Sequence, residues 1–154
     1  MPPAPGLGFA GRLTGDFFDR DKVRRAIDNA AKRAMSKFGA FVRQRARTSI
    51  RKRKGVSPPG RPPFSHVGTL RRGILFAFDS ARNSVVIGPV PLGSRSGAPE
   101  RLEYGGTGTV VASRRGGGTG ATRRYLKHPY MQPAFEAELP KARELLRNSL
   151  GAVT

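Results

Sequence analysis

Side chains capable of chemistry are few and scattered in this sequence. Histidine occurs twice, at His66 and His128, each in a proline-flanked segment with no acidic neighbour. A zinc site takes three or four protein ligands at matched geometry. Two separated histidines and dispersed carboxylates do not supply one, so both histidines read as structural or exposed groups. Ser49 and Lys52 have the S-x-x-K spacing that pairs a nucleophile with a base in some acyl-transfer enzymes. Here the pair straddles the end of a basic helix and no S-D-N element follows, so the spacing is coincidental. The segment GGGTGATRR could offer backbone amides to an anion. It lacks the closing G-K-[ST] and the strand-to-helix setting of a phosphate loop, and reads as a flexible loop. Glu103 has no partner for acid or base work. These residues predict no active site, no metal and no cofactor.

Positive charge is what the chain has in quantity. Its 154 residues carry 29 Lys and Arg against 10 Asp and Glu, a net charge of +19. No acid occurs between Asn29 and Phe78, a span with thirteen cations, and a second acid-free stretch runs from Tyr104 to Phe135. A surface of this kind adheres to polyanions and repels its own copies, so an acidic partner is expected: nucleic acid, a membrane surface or an acidic protein. The densest run is RKRKGVSPPGRPPFSHVGTLRRG, beginning at Arg51. Arg51, Lys52, Arg53, Lys54, Arg61, Arg71 and Arg72 are its candidate docking cations. Pro58, Pro59, Gly60, Pro62 and Pro63 predict an extended, polyproline-like segment that holds them outward. Non-sequence-specific nucleic-acid binding is one reading of that charge. Only Phe64 is placed in the basic loop to stack on a base, and no zinc-finger, RNP or KH pattern accompanies it.

The elements that must position these residues follow from periodicity. Apolar positions Val23, Ile27, Ala30, Ala34, Phe38, Phe41, Val42 and Ala46 predict an amphipathic helix over 21–50. Its polar face carries Arg24, Arg25, Lys32, Arg33, Lys37, Arg43 and Arg47, and Gly39 is a weak point within it. GILFAFD and SVVIGPV, joined by four residues, predict a β-hairpin over 73–90. A short helix over 98–104, a strand over 106–113 and a C-terminal helix over 130–150 follow, with Pro140 expected to bend or interrupt the last. The order predicts an α+β fold: a long N-terminal amphipathic helix and a C-terminal helix on a small antiparallel sheet. The expected organisation is an N-terminal arm over 1–15, one domain over 16–150 and a short tail. A basic Pro-rich loop at 51–67 and a Gly/Arg-rich loop at 114–124 interrupt that domain. Gly and Pro together make up about a fifth of the chain, above the usual eighth or so. Cysteine is absent, which excludes disulfides. The first residues, MPPAPGLGFAGRLTG, lack the basic and apolar regions of a secretory signal, so cytoplasmic synthesis is expected.

Four segments, taken in order, resemble a known family. They are SPPGRPPFSHVGTLRRGI, SVVIGPV, ERLEYGG and HPYMQPAFEAELPK. With the basic helix before them, the set is similar to the neck or tail-component proteins of long-tailed bacteriophages, among them the tail-completion (minor tail) proteins of lambda-like phages. His128 stands where members often carry Arg, and the Gly/Arg insert departs from the pattern. The resemblance implies a structural virion protein of the head–tail connector or tail-completion ring, not an enzyme. It implies a ring, expected to be a hexamer, beside head-completion or connector proteins and tail-terminator or tail-tube proteins, with no membrane partner. There the charge predicts that the basic face of the first helix and the segment from Arg51 to Arg61 mostly meet acidic surfaces of adjacent rings, or seize the packaged DNA end once. In that setting the Pro-rich segment acts as a strap fastening neighbours, and Tyr104, Gly105 and Gly106 form a backbone turn.

Overall fold

The computed structural model describes residues 19–92, 97–109 and 121–151. The expected arm over 1–15, the strand continuation over 110–113 and most of the Gly/Arg loop lie outside the described residues.

Helix α1 runs from Arg20 to Ser49. The Asp19 carboxylate accepts from Lys22 N at 3.0 Å and caps its first turn. Asp21 at that end and Arg47 in the last turn both suit the helix dipole. The buried positions Ala30, Ala34, Phe38, Val42 and Ala46 recur at steps of four. Because a helix turns about 100° per residue, each such step drifts about 40°, and the buried stripe winds around the axis. One helix therefore meets two neighbours on different flanks.

The C-terminal helix, α4, spans Met131–Gly151 and covers one flank. Phe135 packs edge-on against Phe38 at 5.7 Å, and Lys141 sits over the Phe41 ring. The hairpin covers the other flank. Strand β1 is Ile74–Asp79 and β2 is Ser84–Pro89, paired antiparallel so that Phe76 faces Ile87 and Phe78 faces Val85. Asp79 Oδ1 accepts from Ala81 N and Arg82 N in the connection, and Asn83 takes a φ of 47°. Gly39 lies under this hairpin. A Cβ there would sit 2.7 Å from Val85 Cγ2 and 2.9 Å from Phe76 Cδ2. Gly39 is thus the site of close approach between helix and sheet, not a simple weak point. The expected polar face of α1 is also corrected in part: Arg43 Nε donates to Ile74 O at 2.9 Å and Lys32 lies over the Phe78 ring.

Three smaller elements complete the α+β fold. A four-residue helix, α2, spans Thr69–Arg72 and buries Leu70, with Gly68 at a φ of 79° before it. Helix α3 is Ala98–Tyr104. Strands β3 (Gly106–Thr109) and β4 (Thr122–Tyr125) form a second two-stranded antiparallel sheet. The expected loop over 114–124 is therefore corrected at its end, where Thr122, Arg123 and Arg124 pair with Thr109, Gly108 and Thr107. Pro140 does not interrupt α4; it and Glu136, whose carbonyl loses its usual partner, both lie on the exposed side. The core is small: Phe38, Val42, Ala46, Ile50, Leu70, Ile74, Tyr130 and Ala134. Among the described residues no helix is long and apolar enough to cross a membrane.

Candidate docking surface

The loop after α1 is built on a tight turn. Pro58 O accepts from Arg61 N at 3.2 Å, with Pro59 and Gly60 between them. Gly60 has a φ of 76°, the conformation a type II turn needs at its third residue, and proline suits the second. The rest of the loop folds back on the chain that carries it. Ser65 N donates to Arg51 O at 3.0 Å and closes the loop at its base. Ser57 Oγ donates to Pro62 O at 2.7 Å, and both Ser57 and Ser65 are buried. Gly55 N donates to His66 Nε2. Pro63 is buried beneath the loop.

Two more bonds fasten the loop to the segment before α4. Gly60 N donates to Lys127 O at 3.0 Å, and His128 Nδ1 donates to Arg61 O at 3.1 Å. The same segment is tied to α3, because His128 N donates to Leu102 O. The expected extended segment is therefore corrected to a loop folded back on its own domain. The prolines stiffen a loop already fixed to its own domain, since backbone groups that could have stayed hydrated find partners within the chain.

The docking cations divide into two sets. Arg51, Arg53 and Arg61 line one cavity of about 580 Å³ together with Ser57, Pro58 and Phe64. Arg53 lies 5.5 Å from the Phe64 ring centroid, in cation–π range. Lys52, Lys54, Arg71 and Arg72 are exposed and do not line that cavity. Among the described residues the only ion pairs are those of Arg45 and Lys141 with Glu138. None of the candidate docking cations is paired with a carboxylate among the described residues.

Tyr104, Gly105 and Gly106 lie elsewhere, at the junction of α3 and β3. Gly105 N donates to Arg101 O and closes α3, with a φ of 75°. A Cβ on Gly105 would come within 3.2 Å of Tyr125 O, so this turn needs glycine both for its dihedral and for the approach of β4. Tyr104 is exposed and borders a second groove, of about 360 Å³, with Ile87, Pro89, Pro99 and Tyr130.

The residue that sequence reasoning undervalued is Glu103. It is buried, and its carboxylate accepts from Tyr130 N, Met131 N and Gln132 N at 2.8–3.0 Å. The start of α4 leaves four N–H groups without intrahelical partners. Glu103 takes three, and Pro133 has no N–H to satisfy. The signal was present in the sequence: His128, Pro129 and Tyr130 include no capping oxygen, so a helix starting there needs an acceptor from elsewhere. Tyr130 is packed against this carboxylate with its own hydroxyl buried and unpartnered. Burial, and then the Glu103 charge, push its pKa above the ordinary tyrosine value.

Among the described residues no group of histidine, cysteine or acidic side chains could hold a metal ion. No family model, curated protein or solved structure matches the chain. The surface at the basic loop is cationic and partly apolar.

Proposed function

We propose that the chain is a structural virion protein of a tailed phage, a subunit of the head–tail connector or tail-completion ring that joins head to tail. The observation that carries this reading is where the ordered motifs meet. The PPG turn, the EYGG turn and the HPYM segment come together around Lys127 and His128, and their polar groups bond to one another. The residues that give the sequence its resemblance thus hold a framework together. Outside the framework lie features that fit partners. Leu75 and Val86 are exposed on the outer side of the hairpin, and Phe135 and Leu139 are exposed on α4. A small core with apolar surface left over is the condition of a subunit completed by assembly. Copies of the chain in a ring, and connector and tail-tube proteins above and below, are the partners this reading names.

The test is complementation of particles. Lysates of a phage lacking this protein should contain filled heads and finished tails that are separate, and adding the purified chain should join them. Joined, infectious particles forming without it would overturn the reading. Electron microscopy of the purified chain mixed with connector or tail-tube rings should show an added ring of density.

A further inference from the structure

The cavity behind the basic loop has a more specific chemistry than general positive charge. Three arginines, Arg51, Arg53 and Arg61, line a single space of about 580 Å³. None is within ion-pair distance of a carboxylate among the described residues. The hydroxyls on its wall already have their hydrogens placed. Thr48 Oγ1 donates to Gln44 O, Ser49 Oγ to Ala46 O and Ser57 Oγ to Pro62 O. The charged groups that its lining residues carry are the three guanidinium groups, and no acidic residue lines it. Such a wall selects an anion with several acceptor oxygens.

We propose that this cavity is a phosphate site for the backbone of DNA. Planar guanidinium forks match phosphate oxygens two at a time, and Phe64 holds the fork of Arg53 in the wall. The loop is fixed by its bonds to Arg51, Lys127 and His128, so little ordering is left to occur on binding. Polymeric phosphate fits better than an acidic protein surface because the cavity does not stand alone. Lys52 and Lys54 alternate with its arginines and are exposed beside it. A row of cations suits a partner with one charge every ~1.7 Å of duplex axis, whereas carboxylates on a folded protein are interspersed with cations. The site goes beyond the ring reading: a joining protein need not bind DNA, and a DNA-binding chain need not form a ring.

The experiment is fluorescence anisotropy of a labelled duplex of about 20 base pairs with the full chain, across a range of salt concentrations. Each phosphate contact contributes about 0.9 to the slope of log affinity against log salt. The triple substitution R51Q/R53Q/R61Q should therefore lower that slope by about 2 to 3, and weaken binding at least about tenfold at physiological salt. An equal charge removal on α1, R20Q/R24Q/R33Q, should lower it by less than about 1. The variant R51K/R53K/R61K keeps the charge and loses the forks, and should bind several-fold more weakly than the parent. The bonds that close the loop use backbone groups, Ser57 and His128, and thermal unfolding checks that they survive. Equal losses in the two glutamine triples, or parental binding by the lysine triple, would overturn the site. So would poly-glutamate competing as well as DNA at matched charge, which would reassign the cavity to an acidic protein.

Discussion

Glu103 and Glu138 are both buried carboxylates, and the chain satisfies them in opposite ways. Glu103 reaches across from α3 and accepts from three backbone N–H groups at the start of α4. Glu138 lies within α4 and is held by side chains, Arg45 of α1 and Lys141 of its own helix. The backbone donors are fixed in place by the helix and have no other acceptor within the chain than Glu103. The two cations are about half exposed and can return to water. The cost of losing a buried carboxylate therefore depends on what its partners can do without it. Glu103 fastens the framework, while Glu138 trims the interface between two helices.

The largest effect expected is at Glu103. Glu103→Ala strands three donors beside the core and should cost about 3 kcal/mol, near 10 °C in Tm for a chain of this size. Thermal denaturation followed by circular dichroism measures it. Glu103→Gln sharpens the result, because its amide keeps one acceptor and turns an NH₂ toward N–H groups that cannot accept. It should lose at least half as much. Parental stability in Glu103→Gln would mean that the charge and double acceptance do not hold α4, and the contrast with Glu138 would fail.

Glu138→Gln should cost less, about 1 to 2 kcal/mol, because solvent screens partners that are themselves exposed. The hydrogen bond from Lys141 holds the Glu138 carboxyl below its ordinary value; burial opposes this and Arg45 reinforces it. The sign follows from linkage. A lowered folded pKa gives stability that is present above the ordinary carboxylate value and lost as pH falls through the folded one. Urea midpoints measured from neutral pH into the acid range should decline in the parent, and the Glu138→Gln variant should lose this part of the decline. An unchanged acid limb would remove Glu138 from the account.

The same contrast explains how much could be read from sequence. Helices α1 and α4 and the β1–β2 hairpin were legible because burial imposes a period on residues such as Ala30, Ala34 and Phe38, or Phe76 and Phe78. Strand β4 was not, because Thr122, Arg123 and Arg124 are exposed and carry no apolar alternation. Gly39 looked like a flaw because its justification, Phe76 and Val85, lies more than thirty residues away. The Pro-rich loop showed its turn chemistry in Pro58, Pro59 and Gly60, yet nothing local revealed that Lys127 and His128 would fasten it. Arg51, Arg53 and Arg61 were legible as cations, while their meeting at one cavity depended on that fastening. Periodicity reports which face is buried; it does not report which distant group answers a lone donor or acceptor.

Tyr130 tests the Glu103 region from the other side. Its hydroxyl is buried without a partner, so Tyr130→Phe should raise stability by about 1 kcal/mol, the reverse of most core substitutions. The pH dependence sharpens this result. The raised pKa of Tyr130 means that folding resists its ionisation, so its contribution is intact below the ordinary value of 10.0 and lost as pH rises through the folded one. Denaturation at alkaline pH should therefore be less steep in Tyr130→Phe than in the parent. A loss of stability near neutral pH would show that the hydroxyl has a partner after all.

The smallest effect belongs to Lys141, and salt is what makes it informative. Lys141→Ala removes one of the two cations on Glu138 and the contact over Phe41, and leaves Arg45 in place. The expected cost is about 0.5 kcal/mol at low ionic strength. At 1 M salt the Debye length falls to about 3 Å, so the ionic part of that difference should largely vanish. The loss in Glu103→Ala should persist, because it arises from backbone donors left without their acceptor, and screening by salt does not restore a hydrogen bond. Unfolding both variants at low and high salt therefore separates the two carboxylates by mechanism as well as by size. If the two losses shrink together, Glu103 is acting through charge at the helix terminus, and its role as a backbone cap falls.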